Sequence, residues 1–113
     1  RYNEKLSGLP LVLPYQAPFS YSGLHLFVIR LNLCQISRTQ KQVFELLRER
    51  GVGTNIHYIP VHTQPYYQAL GFQYGDFPEA ESYYREAISL PMFHGMSKDQ
   101  QDIVISSLSE ILQ

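Results

Sequence analysis

The sequence has too few cysteines, too little net charge and too short apolar runs to fit several classes of protein. Cys34 is the only cysteine among 113 residues, so neither an internal disulfide nor a cysteine zinc site can form, and a reducing cytoplasm is the expected location. The net charge of −1 and the scattered basic residues provide no electrostatic field for nucleic acid or an anionic membrane. No apolar run approaches the roughly 20 residues of a membrane span, and no signal peptide is visible. We therefore expect a soluble protein that binds neither nucleic acid nor membranes.

The sequence also lacks the motifs of common catalytic sites. There is no GxGxxG or P-loop, since the glycines at residues 51–53 precede a predicted strand and not a helix. His57 and His62 are separated by a proline and have no nearby carboxylate or thiolate to complete a zinc site. The acidic residues fall on predicted helices, which disfavours the paired loop carboxylates of glycosidases. Cys34 follows a predicted strand without any motif, and we expect a buried, inert thiol.

Apolar periodicity and capping patterns predict a small sheet with helices. Strands are predicted over residues 24–33, 54–59 and 88–91, and helices up to residue 6, over residues 37–50, 65–70 and 76–87, and from residue 97. Capping boxes are predicted for Ser37 with Gln40, Asp76 with Glu79, and Ser97 with Gln100. An apolar helical stripe is predicted at Ala80, Tyr83, Tyr84 and Ala87, and another at Val104, Leu108, Ile111 and Leu112. The order of elements predicts about three strands covered by helices on one face.

Three positions add detail to this prediction. The strand over residues 24–33 is partly apolar on both faces, with Arg30 and Asn32 on the second, and we expect it to be central. Residues 11–13 lie between two prolines, which restricts them to a sheet edge or to a position outside the sheet. Gly51 is expected to end the helix before it in a left-handed conformation.

Residues 51–65 contain the most informative side chains, His57, Tyr58 and His62. They lie between a pair of glycines and Pro65. Composition and spacing alone predict an α/β domain with a polar and aromatic loop at residues 55–67. They leave open whether these side chains contact a ligand or whether a histidine only ties down the turn at Pro60.

A resemblance to a known family extends this reading. Residues 51–62 read GVGTNIHYIPVH and are followed by QPYY at residues 64–67. Residues 25–31 read HLFVIRL upstream, and residues 88–91 read ISLP downstream. In this order the motifs resemble the C-terminal part of nucleotide-sugar aminotransferases of the DegT/DnrJ/EryC1/StrS family. The resemblance is greatest to the branch that aminates a UDP-4-keto-6-deoxy-N-acetylhexosamine on the way to pseudaminic acid.

The resemblance implies an α/β (α+β) fold with a small, mainly antiparallel sheet, as in the C-terminal domain of fold-type I aminotransferases. It also implies pyridoxal phosphate (PLP), glutamate as amino donor, a UDP-sugar substrate and a homodimer. The cofactor lysine belongs to a large N-terminal domain, and Lys5, Lys41 and Lys98 do not match its motif. We therefore expect residues 1–23 to end a linking helix and lead into the small domain at residues 24–113. Without the large PLP-binding domain, we expect this fragment to be inactive.

The resemblance further implies that residues 57–62 face the nucleotide-sugar pocket. His57 and Tyr58 offer an aromatic face and donors for hydroxyl or phosphate oxygens, His62 can do the same, and His25 is a further candidate. Two alternatives stay open, namely a non-catalytic family member acting as a sensor or regulator, and a free-standing interaction domain. If a large domain docks here, we expect exposed apolar surface around residues 11–19 and at residues 66–67.

Overall fold

The computed structural model describes residues 1–23 and 25–113. In chain order the elements are α1 (Tyr2–Lys5), β1 (Leu11–Val12), β2 (Phe27–Leu31), α2 (Gln40–Glu49), a 3-10 helix (Val61–Thr63), α3 (Pro65–Ala69), α4 (Pro78–Glu86), β3 (Ala87–Leu90) and α5 (Lys98–Leu112). Within the described residues, no helix is both long and apolar enough to cross a membrane.

The three strands form one antiparallel sheet in the order β1-β2-β3. Leu11 pairs with Leu31 across β1 and β2, and Phe27 pairs with Leu90 across β2 and β3. The structure therefore confirms the predicted α+β fold and the central position of β2, and of the two positions left open for residues 11–13 it selects the sheet edge, for residues 11–12. The first residue of the predicted central strand, Leu24, lies outside the described residues.

The strand predicted over residues 54–59 is wrong. Only an isolated antiparallel bridge between Asn55 and Ser89 forms there, so the third strand of the sheet is β1. The next pairing position is His57, because Asn55 already uses both its backbone groups on Ser89. His57 contacts Ser89 through its side chain at 2.8 Å instead of through its backbone, and Pro60 then begins the 3-10 helix, so the ladder goes no further.

One face of the sheet packs against α1, α2 and α5. Alternate residues of β2 point to this face, and the core that they share with the helices is made of Tyr2, Leu6, Phe27, Ile29, Leu31, Val43, Leu47, Val52, Ile88, Leu90, Val104, Leu108, Ile111 and Leu112. The Tyr2 ring lies 5.0 Å from the Phe27 ring, and burial raises the pKa of Tyr2 to about 12. The predicted stripe of α5 is confirmed, since all four of its residues belong to this core.

The cap of α2 differs from the prediction. Thr39 is the N-cap, and its hydroxyl accepts from the Gln42 N–H while the Gln42 side chain accepts from the Thr39 N–H. Ser37 and Gln40 therefore do not form the predicted box. Gln40 donates instead to two backbone carbonyls where α4 meets β3, at 2.8 and 2.6 Å. Gly51 follows the helix with a φ of 76°, which confirms the left-handed ending.

The start of α4 also differs. Phe77 is the N-cap and makes no side-chain cap, so the predicted box of Asp76 with Glu79 is wrong. Asp76 instead accepts the backbone N–H of Gln73 at 2.8 Å and closes the preceding turn. Pro78 supplies a favourable first helical residue without any cap. At the last helix the predicted box of Ser97 with Gln100 is confirmed.

The predicted apolar stripe of α4 is not its buried face. Ala80 and Tyr83 are exposed and Tyr84 is half-buried, while Glu81 is 5% exposed and faces inward. Ala87 is buried, but it begins β3 and does not continue the helix. A carboxylate takes the inward position because it has a buried histidine as its partner, which periodicity alone does not reveal.

Candidate functional site

Residues 55–58 are attached to the edge of the sheet beside β3. The Asn55 N–H donates to the Ser89 carbonyl at 3.2 Å, and the Ser89 N–H donates to the Asn55 carbonyl at 2.8 Å. The side-chain oxygen of Asn55 is occupied by the Ile56 N–H. The Asn55 amide nitrogen is therefore the atom that faces outward toward the next side chain.

That side chain is His57, which is half-buried and has both ring nitrogens engaged. Its Nε2 lies 3.2 Å from the Asn55 amide nitrogen, and its Nδ1 lies 2.8 Å from the Ser89 hydroxyl. An amide nitrogen can only donate, so Nε2 accepts and the neutral ring carries its hydrogen on Nδ1, which donates to Ser89. This assignment follows from the hydrogen-bond network, as tautomers generally must. His57 is thus fixed in position and can offer a ligand its ring surface.

Tyr58 projects from this fixed segment into solvent. Its side chain is 71% exposed, and its ring stands edge-on to the His57 ring at a centroid distance of 4.6 Å. The peptide bond between the two residues is cis. The fixed His57 ring supports one side of the Tyr58 ring, and the exposed Tyr58 phenol can reach a ligand.

His62 lies in the 3-10 helix and is buried. Its Nε2 is 2.8 Å from Glu81 Oε1, and its ring is 4.9 Å from the ring of Phe77. The Thr63 hydroxyl donates to the Pro60 carbonyl at 2.7 Å and closes the same turn. For His62 this geometry favours the alternative in which a histidine ties down the Pro60 turn. Its ring also borders an apolar cavity of about 360 Å³.

Glu81 is the centre of this polar cluster. Its Oε1 accepts the Gly75 backbone N–H at 2.7 Å in addition to the contact with His62. The Gly75 N–H and then His62 lower the pKa of Glu81, and they outweigh the burial that would raise it. The carboxylate is therefore ionised at neutral pH and fixes the turn before α4 to the 3-10 helix.

His25 stays apart from this arrangement. It is exposed and lies two residues before β2. Among the described residues, no hydrogen bond or ring contact joins it to His57, Tyr58 or His62. The structure thus brings His57 and Tyr58 together, places His62 at the following turn and leaves His25 separate.

Sequence reasoning missed Ser89, Asn55 and Glu81 as parts of the site. Ser89 had a usable signal, since a polar residue between Ile88 and Leu90 in a buried strand needs a hydrogen-bond partner. Glu81 had no such signal in the sequence, because its partner, His62, lies 19 residues away.

The residues described do not fit a PLP or metal site. All three lysines are exposed, and Lys41 lies 3.8 Å from Glu45, whereas a cofactor lysine needs a shielded pocket and a carboxylate for the pyridine nitrogen. Among residues 1–23 and 25–113, no group of three histidines, cysteines or acidic residues could hold a metal ion. Cys34 is exposed, so the predicted buried thiol is wrong. The Gln35 N–H donates to the Asn32 carbonyl there, forming a turn that carries Cys34 to the surface.

Comparison with known proteins places the chain in a family. Residues 1–109 match the DegT/DnrJ/EryC1/StrS aminotransferase family. The spore coat polysaccharide biosynthesis protein SpsC of Bacillus subtilis (strain 168) is 34% identical over 116 residues, covering 100% of this chain and 30% of that protein. The structure of S. venezuelae DesV in complex with a ketimine intermediate superposes with a TM-score of 0.85 and 33% identity, over 96% of this chain and 28% of that one.

A third comparison shows the fold alone. Helicobacter pylori PseC, an aminotransferase involved in the biosynthesis of pseudoaminic acid, superposes with a TM-score of 0.85 at 23% identity, over 98% of this chain and 30% of that one. The chain spans less than a third of the length of these relatives, between 28% and 30%. Because the family match covers nearly all of its residues, the chain belongs to the DegT/DnrJ/EryC1/StrS aminotransferase family.

Proposed function

We propose that these residues are the C-terminal domain of a PLP-dependent nucleotide-sugar aminotransferase. The protein would transfer the amino group of glutamate to a UDP-4-keto-6-deoxy-N-acetylhexosamine, as a cytoplasmic homodimer serving surface polysaccharide synthesis. Family membership supports the reaction class. The name of SpsC supports a role in polysaccharide synthesis. The pseudaminic acid branch rests on the motifs of residues 51–67 alone. The likeness to PseC adds no support for the branch, because it extends only to the fold.

We propose residues 1–23 as the end of a linking helix and a lead-in loop, and residues 24–113 as the small domain. The lysine that binds PLP would then belong to a large domain outside these residues, which would leave the fragment inactive alone. The exposure of all three lysines supports this division. So does the exposed aromatic surface expected of a docking face, with Tyr15 85% exposed, Phe19 93% and Tyr66 71%.

The observation that carries the proposal is an exposed Tyr58 on a segment with little freedom to move. Asn55 and Ser89 hold the backbone, and His57 supports the Tyr58 ring. The Tyr58 phenol would donate to a phosphate or sugar oxygen, and its ring would stack on a planar or apolar part of the substrate. His57 would contact the same ligand by its ring surface.

His62 and His25 would lie at the border of the pocket, farther from the ligand than Tyr58. His62 would border the pocket while its hydrogen bond with Glu81 holds the turn that follows Tyr58. His25, exposed before β2, would be a further contact at the rim of the pocket. Each can be tested with the same assay as Tyr58.

The test uses the full-length protein with PLP, glutamate and the UDP-4-keto sugar, and it measures formation of 2-oxoglutarate. Tyr58→Ala is compared with Tyr74→Ala, because Tyr74 is also a largely exposed tyrosine, at 61%, and lies outside the proposed site and docking face. Losing a hydrogen bond to a charged group predicts a rise in KM for the nucleotide sugar of about tenfold or more for Tyr58→Ala. Tyr74→Ala should behave like the wild type. A full-length protein that neither binds PLP nor transaminates would favour a sensor or regulator instead.

A further inference from the structure

The pairing of β2 with β1 and β3 puts the charged side chain of Arg30 on the same face of the sheet as the candidate site. Ser89 is directly opposite Val28, and Arg30 is directly opposite Val12. Opposed residues in antiparallel strands share a face, and two residues along a strand span about 7 Å. The second sheet face, which carries Val12, Val28, Arg30 and Ser89, points away from the helical core. Since His57 is bonded to Ser89, Arg30 lies on the surface that also carries the candidate site.

Arg30 lines a cavity of about 360 Å³ on this second sheet face. Among the described residues that line the cavity, Arg30 is the only charged one, and the remainder are Tyr15, Tyr83 and aliphatic side chains or proline. The guanidinium carbon lies 5.7 Å from the centroid of the Tyr83 ring. A single cation in an apolar and aromatic cavity suits a ligand with one anionic group and an apolar or planar body.

Glu86 holds the guanidinium without using all of its donors. Glu86 Oε2 accepts from Arg30 Nε at 3.0 Å and lies 2.7 Å from Nη2 as an ion pair, while Oε1 accepts from the Ser82 hydroxyl at 3.1 Å. A guanidinium has five N–H donors, so several remain for another acceptor. The Arg30 side chain is 38% exposed, which leaves room for a ligand to approach.

We propose that Arg30 forms an oxyanion subsite that binds a carboxylate or phosphate group of a ligand lying across the second sheet face, with Glu86 as the positioning residue. The planar fork of arginine matches both groups and forms paired, charge-assisted hydrogen bonds. The identity of the ligand rests on the proposed function, in which the amino donor is a dicarboxylate and the substrate carries a diphosphate. The competing explanation is an ion pair that only stabilises the fold.

The experiment measures ligand binding to the full-length protein by calorimetry. The probes are glutarate, an unreactive dicarboxylate, and UDP-N-acetylglucosamine, which carries the diphosphate. The double variant Arg30→Gln/Glu86→Gln removes both charges, so neither is left without its partner. The matched control is Glu79→Gln/Arg85→Gln, which removes one charge of each sign from exposed positions of the same helix.

We expect the double variant to bind one probe about 10- to 100-fold more weakly, as the loss of hydrogen bonds to a charged group predicts. A change confined to glutarate assigns the subsite to the carboxylate, and a change confined to UDP-N-acetylglucosamine assigns it to the diphosphate. Arg30→Lys keeps the charge but loses the planar pair of donors. Its affinity for the affected probe should therefore lie between those of the wild type and the double variant. The control variant should bind as the wild type does.

Two results would refute the proposal that Arg30 forms an oxyanion subsite. One is a double variant that remains folded by circular dichroism and binds both probes within twofold of the wild type. The other is a wild-type protein that binds neither probe. Transamination is measured on the same preparation: binding that depends on Arg30 without transamination would refute the proposed function alone. Full transamination with unchanged binding in the double variant would refute the subsite alone.

Discussion

Replacing Ser89 with alanine removes one hydroxyl group, and we expect it to loosen residues 55–58 while leaving the sheet intact. The hydroxyl accepts from His57 Nδ1 at 2.8 Å, and Ser89 is 4% exposed. The backbone bridge between Ser89 and Asn55 does not involve the side chain and should persist. The substitution therefore separates the side-chain anchor of His57 from the backbone anchor of the segment.

The expected size of the effect follows from one neutral hydrogen bond. Such a bond contributes a net stabilisation of about 0.5–1.5 kcal/mol. His57 is only half-buried, so water can partly replace the lost acceptor, and a value of about 1 kcal/mol is appropriate. If the loss falls on local opening of the segment, the opening equilibrium constant rises about fivefold.

Amide hydrogen exchange at Asn55 measures this opening, because its N–H donates to the Ser89 carbonyl across the bridge. We expect exchange about fivefold faster in Ser89→Ala than in the wild type. Ser106→Ala is the control, since its exposed hydroxyl donates only to the Ile103 carbonyl within α5. Unchanged exchange at Asn55, or an equal change in the control, would refute the role assigned to Ser89.

Two further predictions concern stability. The pKa of Glu81 is lowered in the folded protein, so its carboxylate stabilises the fold above the unfolded value of about 4.3, and this stabilisation is lost as the pH falls through the lower folded value. The difference in free energy of unfolding between wild type and Glu81→Gln, from urea titrations, should thus shrink as the pH falls below about 4.3; a difference that does not shrink in acid would contradict this. Leu108 is fully buried, so Leu108→Ala should reduce the free energy of unfolding by about 2–5 kcal/mol, whereas Ile103→Ala, at a position 54% exposed on the same helix, should have a much smaller effect; equal losses would contradict the packing described for α5.

Elements with strong local patterns could be predicted from the sequence. The last helix combines a capping box with an apolar stripe of helical period, and both are confirmed. The central strand β2 carries apolar residues on both faces, and it has a neighbouring strand on each side, as predicted. In both cases the information lies within about 15 residues, so no tertiary contact is needed to read it.

The elements that the sequence leaves open or misassigns depend on distant contacts. β1 has two residues, too few to show a period, and it becomes a strand only by pairing with β2. Residues 54–59 alternate like a strand, yet only Asn55 pairs with β3, and His57 reaches Ser89 through its side chain instead of its backbone. The inward face of α4 is set by the hydrogen bond between Glu81 and His62, which no local pattern indicates.

For the candidate site, the sequence indicates some of the residues, and the structure adds the contacts between them. His57, Tyr58, His62 and His25 were named through a family resemblance, and their contact with a ligand stays a prediction. The structure adds what that resemblance did not contain, namely that Ser89 and Asn55 engage both nitrogens of His57. It also separates an exposed Tyr58 from a His62 that is 6% exposed.

Hydrogen exchange of the full-length protein with and without UDP-N-acetylglucosamine tests most directly whether residues 55–60 face the nucleotide-sugar pocket. These residues carry the exposed side chains Tyr58 and Ile59, and a ligand resting on them excludes water from the segment. We predict slower exchange in residues 55–60 on adding the nucleotide sugar, and a smaller change in Tyr58→Ala at the same sugar concentration, because the variant should bind the sugar more weakly. Slower exchange elsewhere in the protein, with residues 55–60 unchanged in the wild type, would contradict the proposal.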